Sequence, residues 1–175
     1  TLEDRKRLAY KAFSTTARYD ALISTYFANE VGDKYSEILN LTFQKEQTLR
    51  YGENPHQAGI LYSQPNAKNP ILNYEQLNGK ELSFNNINDL HGCLEVMREF
   101  KDSEEVVSVA IKHTNPCGVG IGANALEAYT KCYEADTVSI FGGIVGITST
   151  VDVETAKKLN EIFLEIVVAY DFTEE

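Results

Sequence analysis

The chain has 175 residues, 43% of them hydrophobic, and a formal net charge of −10. That length supports a real core, in one domain or one domain with a small appendage. The acidic balance argues against general binding to nucleic acid or anionic membranes, and no apolar run or basic leader marks a membrane span or signal peptide, so a soluble globular protein is expected.

In chain order, Thr1-Leu2-Glu3-Asp4 can cap a helix. Leu8, Ala12, Tyr19, Ile23, Tyr26 and Phe27 then recur at helical spacing until Gly32, predicting an amphipathic arm with a break near residues 14–16. Such a stripe packs against its own protein or a partner subunit, and it carries no chemistry. Ile38, Leu39, Leu41 and Phe43 predict a strand, residues 50–57 a polar loop, 58–62 a second strand, and Pro65 to Pro70 a turn-rich linker. Beyond it the period changes. Leu90, Leu94, Met97 and Phe100 predict a helix, 106–111 a strand, 126–133 a helix, 138–141 and 144–147 strands, 153–163 a helix and 166–169 a strand. Apolar strands alternating with helices imply an α/β fold: a three-layer, largely parallel or mixed sheet with helices on both faces, preceded by the helical arm.

The chemistry-bearing residues gather in four stretches. Lys112 and His113 sit where an apolar strand ends. Asn115-Pro116 is expected to start a turn, Gly118, Gly120 and Gly122 to let the backbone approach a ligand, and a helix from about Asn124 to aim its amides at the same place. An anionic ligand would suit such a site, and the local features equally fit an ordinary strand-to-helix loop. The stretch 50–57 offers a fork-shaped guanidinium in Arg50, an aromatic face in Tyr51, two amides and an imidazole, although polar loops with Gly and Pro are commonly solvated turns. In 79–89 either Ser83 or Asn85 can cap the following helix, and capping accounts for one asparagine of three. The Gly142-Gly143 pair after Phe141 fits a bulge, a backbone edge offered to a planar ligand, or a tight bend.

Two specific chemistries can be weighed against spacing. A zinc deaminase needs a Glu two residues after its His or Cys, and a second Cys three residues after the Pro-Cys pair. Position 115 is Asn and position 120 is Gly, so no such metal site is expected. Cys117 as a nucleophile with His113 as base lacks an identifiable orienting group. The three cysteines, Cys93, Cys117 and Cys132, are odd in number and widely spaced, which suggests neither disulfides nor structural zinc and fits a reducing, cytoplasmic compartment. The start at Thr1 and the charged end at Glu175 read as a piece of something longer.

Taken together and in this order, RYGENPHQ (50–57), GKELSFNNIND (79–89), KHTNPCGVG (112–120) and SIFGGIVG (139–146) closely resemble the bifunctional purine-biosynthesis enzymes that are both aminoimidazole-carboxamide ribonucleotide (AICAR) formyltransferase and inosine monophosphate (IMP) cyclohydrolase. Residues 5–27 resemble that family's segment between its two domains, with Thr15 or Thr16 where His is usual. The resemblance implies a helical interdomain arm over 1–34 and the first half of the formyltransferase domain over 35–175, with a cytidine-deaminase-like fold lacking the metal. The cyclohydrolase domain would precede Thr1, and the rest of the transferase would follow Glu175.

By the same resemblance, Arg50 and Tyr51 would hold the phosphate and ribose side of the nucleotide. Asn86 and the backbone at Phe141 and Gly142 would contact the carboxamide, Glu165 would be an acidic substrate-binding residue, and Lys112 and His113 would flank the reacting centre. The implied cosubstrate is 10-formyltetrahydrofolate, and the implied assembly is a homodimer. An imidazole is a suitable base near neutral pH for the weakly nucleophilic amine, and an ammonium can offset charge on the formyl oxygen. The chain alone is expected to lack turnover. The rival expectation is a folding and dimerisation module with little ligand binding of its own.

Overall fold

The computed structural model describes residues 1–65 and 74–175. Within them the chain falls into two compact units, 1–48 with 60–65 and 49–59 with 74–175. Beyond Pro65, the expected linker lies outside the described residues.

The first unit holds helix α1 (Leu2–Glu30) and an antiparallel pair, β1 (Gln44–Thr48) with β2 (Ile60–Ser63). The capping box at Thr1 forms: its hydroxyl accepts the Asp4 N–H and the Asp4 carboxylate accepts from the Thr1 amino group. The expected break near residues 14–16 is absent: the helix runs through them, with the Thr15 and Thr16 hydroxyls donating back to the Lys11 and Phe13 carbonyls. Within its own unit α1 buries no side chain. The strand expected at 38–43 forms instead at Gln44–Thr48. The short β2 sets the register, Gln44 opposite Ser63, and the apolar residues from Ile38 to Phe43 stay exposed.

The second unit is a four-stranded sheet in the order β4-β3-β5-β6, built from β3 (Val106–Lys112), β4 (Asn115–Gly122), β5 (Ile144–Val151) and β6 (Ile166–Phe172). The central strand β3 runs antiparallel to both neighbours, while β5 and β6 are parallel. The sheet is therefore mixed, and the pleat sends alternate residues to opposite faces. Val107, Val109 and Ile111 meet Leu90, Cys93 and Met97 of helix α2 (Phe84–Glu99) on one side. On the other, Ala110, Val145, Ile147 and Val151 meet Ala125, Tyr129 and Cys132 of α3 (Ala125–Ala135) and Leu159 of α4 (Val153–Leu159). Each large aliphatic side chain so buried contributes about 1.5–3 kcal/mol.

Three expectations are corrected here. Residues 115–122 are a strand and not a ligand-facing turn: β4 pairs with β3 from Lys112 opposite Asn115 to Val106 opposite Gly122. Gly118, Gly120 and Gly122 share the face against α3, where added Cβ atoms would lie 2.2 Å from the Cys132 carbonyl oxygen, 2.1 Å from that of Ala128 and 2.7 Å from the Ala128 nitrogen. Their lack of side chains admits a helix, and the α3 N-terminus lies at the opposite end of β4 from Lys112 and His113. Residues 138–141 form turns and not a strand, because the Asp136 carboxylate accepts the Val138 and Ser139 N–H groups at 3.1 and 2.8 Å. Finally α4 ends at Leu159, capped by Asn160, short of the expected Phe163.

Candidate active site

Ile111, Ile144 and Ile166 are register partners across β3, β5 and β6. The last residue of β3 and the segments entering β5 and β6 therefore share one rim of the sheet, and α2 begins beside it. This rim gathers the polar residues singled out in the sequence.

Asn86 is the junction. The capping box of α2 fixes it: the Ser83 hydroxyl accepts the Asn86 N–H at 3.2 Å, and Asn86 Oδ1 accepts from the Ser83 N–H at 3.0 Å and the Ser83 hydroxyl at 2.9 Å. The same oxygen lies 3.4 Å from Arg50 Nη2, and Asn86 Nδ2 donates to Glu165 Oε2 at 2.6 Å. A buried amide with its oxygen toward a guanidinium and its nitrogen toward a carboxylate has little rotational choice. Arg50 lies over the Tyr51 ring, 5.0 Å from its centroid, and remains exposed; among the described residues its side-chain hydrogen bonds, to the Tyr51 hydroxyl and Asn86, both use Nη2, which leaves the rest of its donor fork for an oxyanion.

The loop bearing Arg50 and Tyr51 is held by backbone bonds, Arg50 N–H to the Leu82 carbonyl at 2.9 Å and Phe84 N–H to the Tyr51 carbonyl at 3.1 Å. Its other amides serve the loop itself. Asn54 donates twice to Gln57 Oε1, and Asn85 Nδ2 ties the Glu53 carbonyl at 3.0 Å. His56 stays exposed in the loop.

On the neighbouring stretch Lys112 Nζ donates to the Phe141 carbonyl at 2.8 Å. Gly142 takes φ +71°, with its N–H on the Phe163 carbonyl at 2.8 Å, and Glu165 N–H donates to the Gly143 carbonyl at 2.9 Å. A Cβ on Gly143 would sit 2.8 Å from the Ile111 carbonyl oxygen, so the segment can lie against the end of β3 only because that side chain is missing. The rim thus joins Lys112 and Glu165 through three consecutive residues, Phe141 to Gly143. An open apolar groove of about 640 Å³, lined by residues including Leu159, Phe163 and Val167, borders the rim at Phe141 and contains none of its charged groups.

His113 and Thr114 make the two-residue turn between β3 and β4, both at positive φ, +52° and +62°. Hairpin turns with two positive φ values favour Asn-Gly, and non-glycine residues there cost of order 1–3 kcal/mol each. The turn is tied internally by the His113 carbonyl, which accepts from Thr114 Oγ1 at 2.6 Å and Asn115 Nδ2 at 2.8 Å. It is tied externally by Asp89, whose Oδ1 accepts the Thr114 N–H at 2.7 Å. The His113 imidazole itself is exposed.

Cys117 lies on β4 with its thiol 3.5 Å from the Ala110 carbonyl oxygen. Burial pushes that thiol up by more than a backbone hydrogen bond lowers it, with smaller effects of the Asp136 carboxylate upward and Lys112 downward, and the net rise is opposite to what a nucleophilic thiolate needs. Burial pushes Cys93 up to about 12 and Cys132 up to about 11. Among the described residues no three His, Cys, Asp or Glu side chains cluster as metal ligands, and no helix is long and apolar enough to cross a membrane.

All eight residues singled out in the sequence, Arg50, Tyr51, Asn86, Lys112, His113, Phe141, Gly142 and Glu165, therefore lie on or beside one rim. The sequence reading passed over Asp89, whose partner is 25 residues away, and nothing local marks it. It also missed β4, although Cys117, Val119 and Ile121 alternating with glycines form a period-2 signal.

The family described as AICARFT/IMPCHase bienzyme matches residues 1–175. The bifunctional purine biosynthesis protein PurH of Clostridioides difficile (strain 630) is 85% identical over 175 residues, covering all of this chain and 34% of that protein. The PurH proteins of Halalkalibacterium halodurans and Bacillus cereus (strain B4264) are 55% and 53% identical over 174 residues, covering 99% of this chain and 34% of each. The chain spans about a third of the length of these curated relatives. It belongs to the AICARFT/IMPCHase bienzyme family.

Proposed function

We propose that this chain supplies part of a formyltransferase that moves a formyl group from 10-formyltetrahydrofolate to the 5-amino group of AICAR in purine biosynthesis. The observation that carries the reading is the convergence of residues from four separated stretches, 50–51, 86, 112–113 and 141–165, on one rim of a mixed sheet. A cytidine-deaminase-like arrangement of the domain without the metal, a homodimer and a cytoplasmic location belong to the same proposal.

The roles follow from the chemistry of the groups. Arg50, stacked on Tyr51, presents its guanidinium to the nucleotide phosphate. Asn86 and Glu165 offer an amide and a carboxylate to the carboxamide side, with the Phe141 carbonyl and Gly142 forming a backbone edge beside them. 10-formyltetrahydrofolate supplies the formyl carbon. As the substrate's amine nitrogen bonds to that carbon, His113 accepts the proton that the amine loses. As the bond from the formyl carbon to the folate N10 breaks, that nitrogen takes up one proton, so hydrogen is conserved. Lys112, steadied by the Phe141 carbonyl, offsets negative charge on the formyl oxygen and can help deliver the proton to N10.

The experiment is His113→Ala in the full-length protein, assayed for formyl transfer and for IMP cyclohydrolase activity. Formyl transfer is expected to fall by about a hundredfold to ten-thousandfold with cyclohydrolase activity retained. Formyl transfer within a few-fold of wild type would remove His113 from the mechanism.

A second reading, a folding and dimerisation module, is favoured by α1, which buries none of its side chains within its unit and exposes Leu8, Phe13, Tyr19 and Phe27. Titration of the chain with AICAR separates the two. Saturable binding weakened by Arg50→Ala supports the site, and concentration-dependent association without binding supports the module.

A further inference from the structure

We infer that Asp89 is a positioning residue for the His113 imidazole, acting through the turn that joins β3 to β4; the inference rests on the reading of His113 as the base.

The turn has a conformation its residues do not favour. Neither His113 at φ +52° nor Thr114 at φ +62° is glycine, and a β-branched residue such as threonine is rarely found there. The bonds that the His113 carbonyl receives from Thr114 Oγ1 and Asn115 Nδ2 lie within the turn and its first strand residue. They tie the turn to itself and do not anchor it to the scaffold. Asp89 does so. Its carboxylate accepts the Thr114 N–H at 2.7 Å, a charge-assisted bond, from the second turn of a helix whose neighbouring residues Leu90 and Cys93 are buried in the core.

A second contact supports the same role. Gly92 lies three residues beyond Asp89, and a Cβ there would come within 3.4 Å of the Thr114 carbonyl oxygen and 3.6 Å of its Cα. The turn therefore rests on α2 where the helix lacks a side chain, and Asp89 fastens it there. Its two residues include His113, so whatever sets the φ values of the turn also sets where the imidazole can reach. Misplacement of a reacting group by about 1 Å already costs on the order of a hundredfold in rate.

The test measures kcat and the AICAR KM of formyl transfer in the full-length protein for Asp89→Ala, Asp89→Asn and the double variant Asp89→Ala/Thr114→Gly, with His113→Ala as reference. Asp89→Ala is expected to lose about ten- to a hundredfold in kcat, with the AICAR KM within about threefold of wild type. Asp89→Asn keeps an acceptor oxygen and is expected within about tenfold of wild-type kcat. So is the double variant, because glycine takes the positive φ without being held there. If Asp89→Ala does not fold, the other two variants decide by the same tenfold criterion. An inactive His113→Ala with Asp89→Ala within threefold of wild type would overturn the inference and leave the base in place. So would a loss that neither Asp89→Asn nor the added Thr114→Gly recovers. A His113→Ala variant within a few-fold of wild type would remove the base itself, a failure of the function reading seen before Asp89 is touched.

Discussion

Two glycine-rich stretches of the second unit use glycine for different reasons. In β4 the glycines at 118, 120 and 122 face α3, and every Cβ added there would strike helix backbone. Around residues 142–143 one glycine takes a positive φ with its Cβ position open, no atom nearer than 4.0 Å, and the next passes against the end of β3. The first stretch is an interior seam on which a layer of the fold closes. The second is a rim on which a carbonyl, an amide and a carboxylate are spaced. Alike in composition, they are told apart by what a methyl group would touch.

That difference is sharpest at Gly120. Gly120→Ala would force the α3 backbone outward and is expected to lower stability by about 3 kcal/mol, read as a drop in the urea or thermal midpoint, while the proposed formyl transfer, assayed for this and the next variant in the full-length protein, is kept per folded molecule. A midpoint shift under about 0.5 kcal/mol would mean that the helix does not sit closed on β4.

Gly142→Ala should cost less stability, about 1–2 kcal/mol from the left-handed backbone alone. Its effect on formyl transfer should exceed what the lost stability explains, because the carbonyl that holds Lys112 belongs to the preceding residue. Equal fractional losses of activity and folded population would class it with Gly120.

The smallest effect concerns thiols. In the folded protein at pH 8, alkylation followed by peptide mapping should label Cys117 slowly and leave Cys93 and Cys132 unlabelled until denaturant is added, since burial pushes the last two up to about 12 and 11. Labelling of Cys132 at the rate of Cys117 would break the picture of β4 and α3 as a closed seam.

Much of the second unit was legible in the sequence because its signals are local. The run from Val106 to Ile111 could be little other than a buried strand, and Ser83 ahead of Asn86 carries its capping chemistry within three residues. The polar residues of the rim were legible as motifs, and their family resemblance agrees with the match over the whole chain. What was not legible depends on distant partners. Residues 115–122 carry both glycine and proline, whose turn signals mask the alternation of Cys117, Val119 and Ile121, and the pairing with β3 resolves the conflict in favour of a strand. Val138, Ile140 and Phe141 look like a strand until Asp136 takes their neighbouring amides into turns. Asp89 accepts a hydrogen bond from a residue 25 positions away, and no periodicity records that.

Asn86 has a consequence for local opening. One amide side chain closes the capping box of α2 and also links Arg50 to Glu165. Fraying of the first turn of α2, ordinarily a low-energy event at a helix end, would therefore dismantle the rim in the same motion. Amide hydrogen exchange at Asn86 and Ile87 then reports on the integrity of the rim. A nucleotide that bridges Arg50 and Glu165 would slow exchange there by stabilising the closed state, even though neither backbone amide touches the ligand.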